Sequence, residues 1–328
     1  MDDPDKKYKT DDKISGRVVI KANPTEMESK GLTIKFKGQA VIAGRTGGKK
    51  GRRLETYFDT PEKFLAGDGK NPVQVVGAGQ QISYPFSFQL PCGSKSLPLP
   101  SSYVGLWGNV EYYLTTELIL TPWKRNETVT KVIKVISPLD LNYIPEVIPA
   151  FQTEDSTTFC CNCCGTGPLT LNVRLAKGGF VPEEKIPFQI KVINKTGRKI
   201  KGITATVKER VQYRLFERVR TKYEKESREI GTPPNFVVRA GETVDWEGEL
   251  DIPDVPPTST LEQESNIIGV DYFVLVKAQA SGVAQTFPVL CPIVIGTVPI
   301  PSSSSNHGIN EGGGGDLTRP VSMVNNDQ

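Results

Sequence analysis

Histidine is almost absent from this 328-residue chain, and its one copy, His307, lies among Ser, Asn and Gly near the C-terminal end. The rest of the chain therefore lacks the commonest general base, which excludes Ser-His-Asp and Cys-His catalysis and histidine-based metal sites there. The segment Val76–Ile82 begins like a dinucleotide fingerprint, but it lacks the third glycine and leads into a strand pattern. We predict a protein that is not an enzyme and uses no cofactor and no metal.

Long apolar runs and a strong net charge are also missing. The apolar run Phe287–Ile300 contains three prolines and is too short to cross a bilayer, and the first ten residues are acidic and then basic, unlike a secretory signal. Forty basic against 37 acidic residues leave a net charge of +3, which does not indicate nucleic-acid binding. We expect a cytoplasmic protein without a nucleic-acid partner, whose six cysteines are reduced.

One strand-rich pattern occurs twice along the chain. Lys13–Ile20 returns 172 positions later as Lys185–Val192, and Val110–Tyr113 returns 160 positions later as Val270–Phe273. Matches in the same order with drifting offsets are typical of duplication followed by changes in loop length. Because 328 residues also exceed the usual size of one core, we predict two related domains.

Apolar and polar residues alternate through most of the chain, as in Leu32–Ile42, which is typical of half-buried antiparallel strands. The same pattern predicts strands at Val110–Leu120, Val129–Ile136, Leu169–Leu175, Ile186–Val192, Ile203–Tyr213 and Val270–Ala278. We interpret Arg210–Glu229 as the end of a strand followed by a charged loop. Short strands separated by Gly-rich turns predict an all-β protein with one antiparallel β-sandwich per domain.

Composition suggests where the domains begin and end. We predict a first domain at 8–137, a linker at 138–168, a second domain at 169–299 and a tail at 300–328. The linker is proline-containing and then polar. The tail contains runs of serine and glycine and too few apolar residues to offset the entropy lost on ordering, so we expect it to be disordered.

Four cysteines stand within five residues of the predicted linker, namely Cys160, Cys161, Cys163 and Cys164. One pentapeptide cannot easily surround a zinc ion, because an extended segment points alternate side chains to opposite sides. Four interpretations stay open: reduced thiols packed as small apolar residues, reversible S-palmitoylation, redox pairing, and a metal site shared with a second chain. We treat the cluster as a candidate lipidation or redox site.

Basic residues gather around two turns. The two groups are Arg45, Lys49, Lys50, Arg52 and Arg53 in the first half, and Lys195, Arg198, Lys199 and Lys201 in the second. Such groups are often solvated charges on loops. The alternative is that they contact anionic lipid headgroups or a phosphorylated tail, which implies peripheral contact with the plasma membrane or endosomes.

Ten short segments together make the chain resemble the α-arrestins, the arrestin-domain-containing proteins. The segments are Ser15–Val19, Tyr84–Pro91, Leu99–Tyr103, Gly108–Tyr112, Leu139–Asn142, Gly167–Leu171, Ala240–Glu242, Ile252–Pro253, Pro256–Thr258 and Pro292–Pro299. The resemblance implies two tandem arrestin-like, immunoglobulin-like sandwiches joined by a short connector. It also implies an adaptor that binds membrane receptors or transporters as cargo and couples them to the endocytic machinery and to ubiquitination.

Two features depart from that family pattern. The chain has no Pro-Pro-x-Tyr motif for WW-domain ubiquitin ligases, and the nearest segment, Pro233–Phe236, ends in Phe. The family also places an apolar strand before Ser15–Val19, where Met1–Thr10 offers only Tyr8. Two other functions remain as alternatives, a redox-linked scaffold or regulatory protein that uses the cysteines and a retromer-like coat subunit.

Overall fold

The structure is a computed structural model that describes most of the chain. The described residues are 6–21, 27–46, 49–91, 99–121, 123–158, 167–216, 219–226, 230–231, 236–259, 267–282 and 286–301. Their regular structure consists of β-strands and two 3-10 turns, at Leu141–Tyr143 and Pro145–Val147. This confirms the prediction of an all-β protein built from antiparallel sandwiches.

The first sandwich packs a two-stranded sheet against an eight-stranded one. Its strands are β1 (Lys7–Tyr8), β2 (Lys13–Lys21), β3 (Met27–Thr46), β4 (Lys49–Asp59), β5 (Lys63–Gly67), β6 (Val73–Val76), β7 (Gln81–Gln89), β8 (Tyr103–Val104), β9 (Gly108–Leu120) and β10 (Glu127–Val135). The large sheet has the order β1-β10-β9-β3-β4, with β5 and β6 also on β3 and β8 on β9. The small sheet contains β2 and β7.

The second sandwich packs a four-stranded sheet against a six-stranded one. Its strands are β11 (Phe151–Thr157), β12 (Leu169–Leu175), β13 (Gly179–Phe180), β14 (Lys185–Asn194), β15 (Ile200–Phe216), β16 (Val219–Glu226), β17 (Ile230–Gly231), β18 (Thr243–Asp251), β19 (Ile268–Ala280) and β20 (Thr286–Ile295). The orders are β11-β12-β14-β18 and β13-β20-β19-β15-β16, with β17 also on β15.

Alternation decides which face of each strand is buried. Along β3 the predicted apolar row is buried, from Leu32 through Phe36 to Ile42, and β14 buries every second residue from Ile186 to Asn194. Because successive side chains of a strand point to opposite faces, each row fills the space between two sheets.

The two sandwiches correspond strand by strand. The short strands β1 and β13 each pair in parallel with the last strand of their domain, and they contribute Tyr8 and Phe180, which lie 172 positions apart and are both buried. The strands β2, β3, β7, β9 and β10 take the places of β14, β15, β18, β19 and β20. The described residues of the first sandwich include no counterpart of β11 or β12.

Two segments differ from the sequence predictions. Phe151–Thr157, predicted as part of the linker, forms β11 and pairs antiparallel with β12. The predicted charged loop after Tyr213 is the second half of a hairpin, in which β16 pairs antiparallel with β15. Both are outermost strands of their sheets. Their polar residues obscured the alternation that reveals half-buried strands.

The segment that follows the first sandwich packs on the end of the second one. The backbone N–H of Thr297 donates to the Leu139 carbonyl (2.7 Å), and the Leu139 N–H donates to the Thr297 hydroxyl (2.9 Å). Leu141 is fully buried beside Gly296, where a Cβ atom would lie only 2.5 Å from the Leu141 side chain. The start of the predicted linker is therefore anchored to the second sandwich.

Candidate functional site

A buried asparagine builds the basic turn between β14 and β15. Asn194 is fully buried, and its amide donates to the carbonyls of Arg198 (2.8 Å), Val238 (3.0 Å) and Arg239 (3.1 Å). Its side-chain oxygen accepts from the N–H (3.1 Å) and the hydroxyl (2.7 Å) of Thr196. Five hydrogen bonds thus hold the turn and join it to the loop that precedes β18.

This turn presents three of its four predicted basic residues to solvent. Lys195, Lys199 and Lys201 are exposed. Arg198 is half-buried, and its guanidinium donates to the Ser281 carbonyl (3.1 Å) of the neighbouring loop. Three lysines are therefore available for an anionic ligand, whereas Arg198 helps to hold the turn.

The other basic group lies on the long β3–β4 hairpin. The backbone of Arg45 pairs with that of Lys50 in that hairpin, and the structure describes the backbone but not the side chains of Arg45, Lys49 and Lys50. Arg52 is exposed, whereas half-buried Arg53 donates to the Arg214 carbonyl (3.3 Å) of the second sandwich.

The structure does not bring the two basic groups together. Arg53 contacts Arg214 near one end of β15, and the basic turn lies at its other end, beside Ile200. Fourteen residues separate these two positions, which corresponds to about 45 Å of strand at roughly 3.3 Å per residue. The two groups are separate candidate sites for anions.

The two sandwiches meet at a group of tyrosines around a buried glutamate. The Tyr103 hydroxyl of the first sandwich donates to Glu209 of β15 (3.2 Å), and only 9% of Glu209 is exposed. Burial, and then the Glu209 charge, raise the pKa of both Tyr103 and Tyr272. Trp107 stacks on Tyr213 with ring centroids 6.4 Å apart. We call Tyr103, Glu209, Tyr213 and Tyr272 the tyrosine cluster.

A cleft of about 370 Å³ opens beside the tyrosine cluster. Exposed Val104 and Leu106 line one wall, and Glu209 and Asp254 supply acidic groups. Asp254 also forms an exposed ion pair with Lys7 of the first sandwich (2.9 Å). Nothing in the local sequence pattern indicated this cleft, because its residues come from segments far apart in the chain.

A second carboxylate lies where the β3–β4 hairpin approaches the second sandwich. Burial raises the pKa of Glu55, and the charges of Arg53 and Arg214 oppose this shift. One Glu55 carboxylate oxygen is buried and accepts no hydrogen bond from another described residue. The contact between the sandwiches therefore carries one carboxylate held by tyrosines and one whose pKa is raised by burial.

The predicted cysteine cluster Cys160–Cys164 lies outside the described residues, and so does His307. Cys291 of β20 is a free thiol that is fully buried, and burial raises its pKa to about 12. Within the described ranges, no three His, Cys, Asp or Glu side chains are grouped so that they could hold a metal ion. A helix long and apolar enough to cross a membrane is likewise not found there.

Comparison with protein-family models decides the family. The model described as Arrestin (or S-antigen), N-terminal domain, matches residues 1–142, and that of the C-terminal domain matches residues 165–300. The chain belongs to the α-arrestin family. Named relatives agree, because Arrestin domain-containing protein 17 of Caenorhabditis elegans is 29% identical over 97% of this chain and 75% of its own length.

Other relatives of this α-arrestin match over similar lengths. Arrestin domain-containing protein 4 of Mus musculus is 25% identical over 89% of this chain and 69% of its own length. Thioredoxin-interacting protein of Homo sapiens is 24% identical over 90% of this chain and 73% of its own. The likeness extends through both sandwiches.

Two of the predicted ligand contacts also have partners within the protein. The guanidinium groups of Arg53 and Arg198 each donate to a backbone carbonyl, and their contact with an anion stays a prediction. Phe236, the last residue of the Pro-Pro-Asn-Phe segment, packs against the hydrophobic core. In the sequence, Tyr103 stood out only as part of the family-like segment Leu99–Tyr103. Its contact with Glu209 joins two residues that lie 106 positions apart.

Proposed function

We propose that this α-arrestin is a non-enzymatic adaptor in protein trafficking. It binds membrane receptors or transporters as cargo and links them to endocytic and endosomal sorting. The observation that carries the proposal is the match to both arrestin domains, in order, over nearly the whole described chain. The position of the one histidine, His307, near the C-terminal end is consistent with a role that needs no general base.

The contact between the sandwiches suits an adaptor that presents one composite surface. The tyrosine cluster joins the domains through a buried carboxylate, and Arg53 adds a hydrogen bond across the same contact. Buried polar contacts of this kind depend on geometry, so they fix one arrangement in preference to others. Cargo binding on loops of both domains benefits from such fixed spacing.

Membrane contact through the β14–β15 turn is part of this proposal. Lys195, Lys199 and Lys201 are exposed on a turn held by five hydrogen bonds, and several lysines near an anionic surface add roughly 1 kcal/mol each. A phosphorylated cargo tail offers the same anionic chemistry. Arg52 and the other basic residues of the β3–β4 hairpin form a second, separate candidate contact.

Flotation with phosphatidylserine vesicles tests the membrane contact. Reversing the charges of Lys195, Lys199 and Lys201 to Glu is expected to reduce vesicle binding and its salt dependence. The matched control reverses three exposed lysines of the first sandwich, Lys63, Lys70 and Lys124, with the same change in net charge. Equal loss in both variants would show that net charge alone attracts the vesicles.

Proximity labelling in cells tests the adaptor role itself. A fusion of the full chain to a biotin ligase is expected to label receptors or transporters together with endocytic proteins. Stoichiometric co-purification with coat subunits would instead support the retromer-like alternative. Recovery of soluble enzymes alone would contradict the proposal.

Recruitment of a ubiquitin ligase through a Pro-Pro-x-Tyr motif is not part of the proposal. The chain lacks this motif, and the Phe236 side chain packs against the core of the second sandwich. A WW domain needs an exposed polyproline segment with an accessible aromatic residue.

A redox-linked scaffold is the second candidate function. It is favoured by the name of one relative, Thioredoxin-interacting protein, together with the four cysteines at 160–164. In this function a cysteine thiolate attacks a disulfide of a partner, forms a mixed disulfide and releases the partner's other thiolate. A thioredoxin disulfide is expected to capture wild type and not a variant with all four cysteines replaced by Ser. Equal capture of both proteins would show that these four cysteines do not form the mixed disulfide.

A further inference from the structure

The edge strand β18 of the second sandwich is paired on one side only. It stands at the end of the order β11-β12-β14-β18, and none of the described strands pairs with its other side. Just before β18, the Glu242 carbonyl accepts from the Asn194 N–H (3.0 Å), and just after it the Ile252 N–H donates to the Glu184 carbonyl (3.2 Å). Because alternate residues of a strand direct their backbone groups to opposite sides, the odd-numbered residues 243–251 direct theirs to the open side. These backbone groups can pair with another chain.

Four of the five odd-numbered residues are acidic. They are exposed on the outer face of the sheet and comprise Asp245, Glu247, Glu249 and Asp251. The neighbouring strand β14 compensates part of this charge, because Lys185 pairs with Glu249 (3.0 Å) and Lys191 lies opposite Asp245. Exposed ion pairs of this kind contribute little. Two lysines against four carboxylates still leave the outer face at this edge negative.

The equivalent strand of the first sandwich, β7, has neither property. The two strands correspond at an offset of 162 positions, as in Phe88 and Leu250. The outward residues of β7 are uncharged and comprise Gln81, Ser83, Pro85, Ser87 and Gln89. Pro85 takes the place of Glu247, and because proline has no N–H, it protects an edge against strand addition. Of these two strands, only β18 combines an acidic row with a full set of backbone donors on its open side.

The inner face of β18 is apolar and only partly covered. Val244 and Trp246 point inward and pack against the core, but both stay half-buried. The Trp246 ring meets that of Phe188 edge-on, with centroids 5.0 Å apart. Side chains directly opposite on neighbouring strands lie on the same face of a sheet, so an added strand would cover Trp246 with an apolar residue of its own.

We propose that the open edge of β18 is a docking site for a basic extended segment of a partner protein, which adds a fifth strand to this four-stranded sheet. The segment runs antiparallel to β18, as neighbouring strands of this sheet do. It carries Lys or Arg opposite the acidic residues and apolar residues between them. Main-chain hydrogen bonds supply the affinity, and the alternation of basic and apolar side chains supplies the specificity.

Charge argues against a second copy of the chain at this edge. Two β18 strands paired antiparallel around Glu247 would place Asp245 of each opposite Glu249 of the other, and like charges directly opposite are unfavourable. A basic segment meets no such repulsion. The inference goes beyond the adaptor role and does not depend on it, because it follows from β18 and its comparison with β7.

Fluorescence anisotropy with labelled peptides tests the inference on the full chain. The basic peptide Lys-Val-Lys-Val-Lys-Val-Lys-Val-Thr has the length of β18 and places its lysines opposite the four carboxylates. A second peptide contains Glu in place of each Lys. A third, Lys-Lys-Val-Val-Lys-Lys-Val-Val-Thr, keeps the basic composition without the alternation. The basic alternating peptide is expected to bind at least tenfold more tightly than either of the others.

Backbone methylation separates strand addition from simple attraction between charges. In the proposed register, the N–H groups of the peptide's lysines face β18 and those of its valines face away. Methylation of two lysine backbone nitrogens is expected to weaken binding at least tenfold. Methylation of two valine backbone nitrogens leaves the charge and the paired groups in place, so it is expected to change binding less than threefold.

Two charge reversals locate the bound peptide. Glu247 accepts from the Gln189 amide (3.0 Å), and Glu247→Lys is expected to weaken binding of the basic peptide at least tenfold. Glu154 of β11 is its match at the opposite edge of the same sheet, because it is also exposed and accepts from the Asn172 amide (3.1 Å). Glu154→Lys is expected to change binding less than twofold. Both side chains are exposed, so both variants are expected to fold, which thermal unfolding checks.

Several outcomes would overturn the inference. Absence of binding, or equal weakening by the two charge reversals, would show that β18 accepts no basic strand. Equal weakening by the two kinds of methylation would show attraction between charges without strand addition. Self-association of the chain that Glu247→Lys abolishes would assign the edge to a second copy.

Discussion

Replacement of Asn194 by Ala is expected to destabilise the second sandwich strongly. The change removes three hydrogen bonds donated to backbone carbonyls and two accepted from Thr196, all within 2.7–3.1 Å at a fully buried side chain. A typical hydrogen bond contributes about 1 kcal/mol net, and a buried group left without its partner costs about 1–3 kcal/mol. Because water can bond to those partners that are only part-buried, not every lost hydrogen bond carries the full penalty. We therefore expect the free energy of unfolding to fall by roughly 3 kcal/mol.

Hydrogen exchange measures this loss where it occurs. Peptides that cover β14 and β18 are expected to exchange through openings that are more frequent by about two orders of magnitude, since 1.4 kcal/mol corresponds to a factor of ten. Peptides from β9 of the first sandwich serve as an internal reference.

A second asparagine supplies the matched control. Asn126 accepts a hydrogen bond from the Leu120 N–H (3.0 Å) in an exposed turn of the first sandwich. Asn126→Ala is expected to cost less than about 1 kcal/mol, because water replaces the lost partner. A loss below 1 kcal/mol for Asn194→Ala as well would refute the account of how the basic turn is held.

Two substitutions and one labelling experiment test the contact between the sandwiches and the buried thiol. Burial raises the pKa of Glu55, so the folded state holds the Glu55 proton more tightly than the unfolded state does. The free energy of unfolding therefore falls as pH rises from the unfolded-state pKa through the folded-state pKa. Glu55→Gln is therefore expected to raise the midpoint of thermal unfolding at pH 7, and this gain is expected to disappear below about pH 4. An equal gain in the midpoint at the two pH values would contradict the raised pKa. Tyr103→Phe removes a hydrogen bond to buried Glu209 and is expected to cost about 1.5–3 kcal/mol in urea unfolding; an unchanged midpoint would contradict the contact. Cys291, with a pKa raised to about 12, is expected to react with iodoacetamide at pH 7.5 only after denaturation, as peptide mass spectrometry will show; labelling of the native protein would contradict its burial.

The alternation of apolar and polar residues made most of the fold predictable. It located β9, β12, β14 and β19 to within a few residues, because one face of each strand is buried and the other faces solvent or a neighbouring segment. The duplicated pattern likewise predicted two sandwiches, and the structure shows why. Equivalent strands, such as β2 and β14, use the same alternation to fill equivalent cores.

The missed strands lie at the edges of sheets. β11 has six polar residues in seven and pairs on one side only, and β16 is mostly charged. Backbone pairing with a neighbouring strand holds such segments, and their own side chains carry little hydrophobic pattern. The alternation of apolar and polar residues in one sequence therefore does not reveal β11 and β16.

The candidate sites were only partly predictable for a different reason. Lys195, Lys199 and Lys201 were identified from charge alone, and the structure leaves them exposed. Arg198 looked the same in the sequence, but it donates to a carbonyl 83 positions away. Long-range pairing of this kind, like the contact of Tyr103 with Glu209, depends on how the sheets pack and leaves no local signal.

The adaptor role is tested most directly by the internalisation rates of plasma-membrane proteins after acute depletion of this α-arrestin. Surface biotinylation followed by quantitative mass spectrometry measures these rates for many receptors and transporters at once. A defined set of these proteins is expected to be internalised more slowly and to recover its rate when the full chain is restored. Unchanged internalisation of every measured receptor and transporter would contradict it.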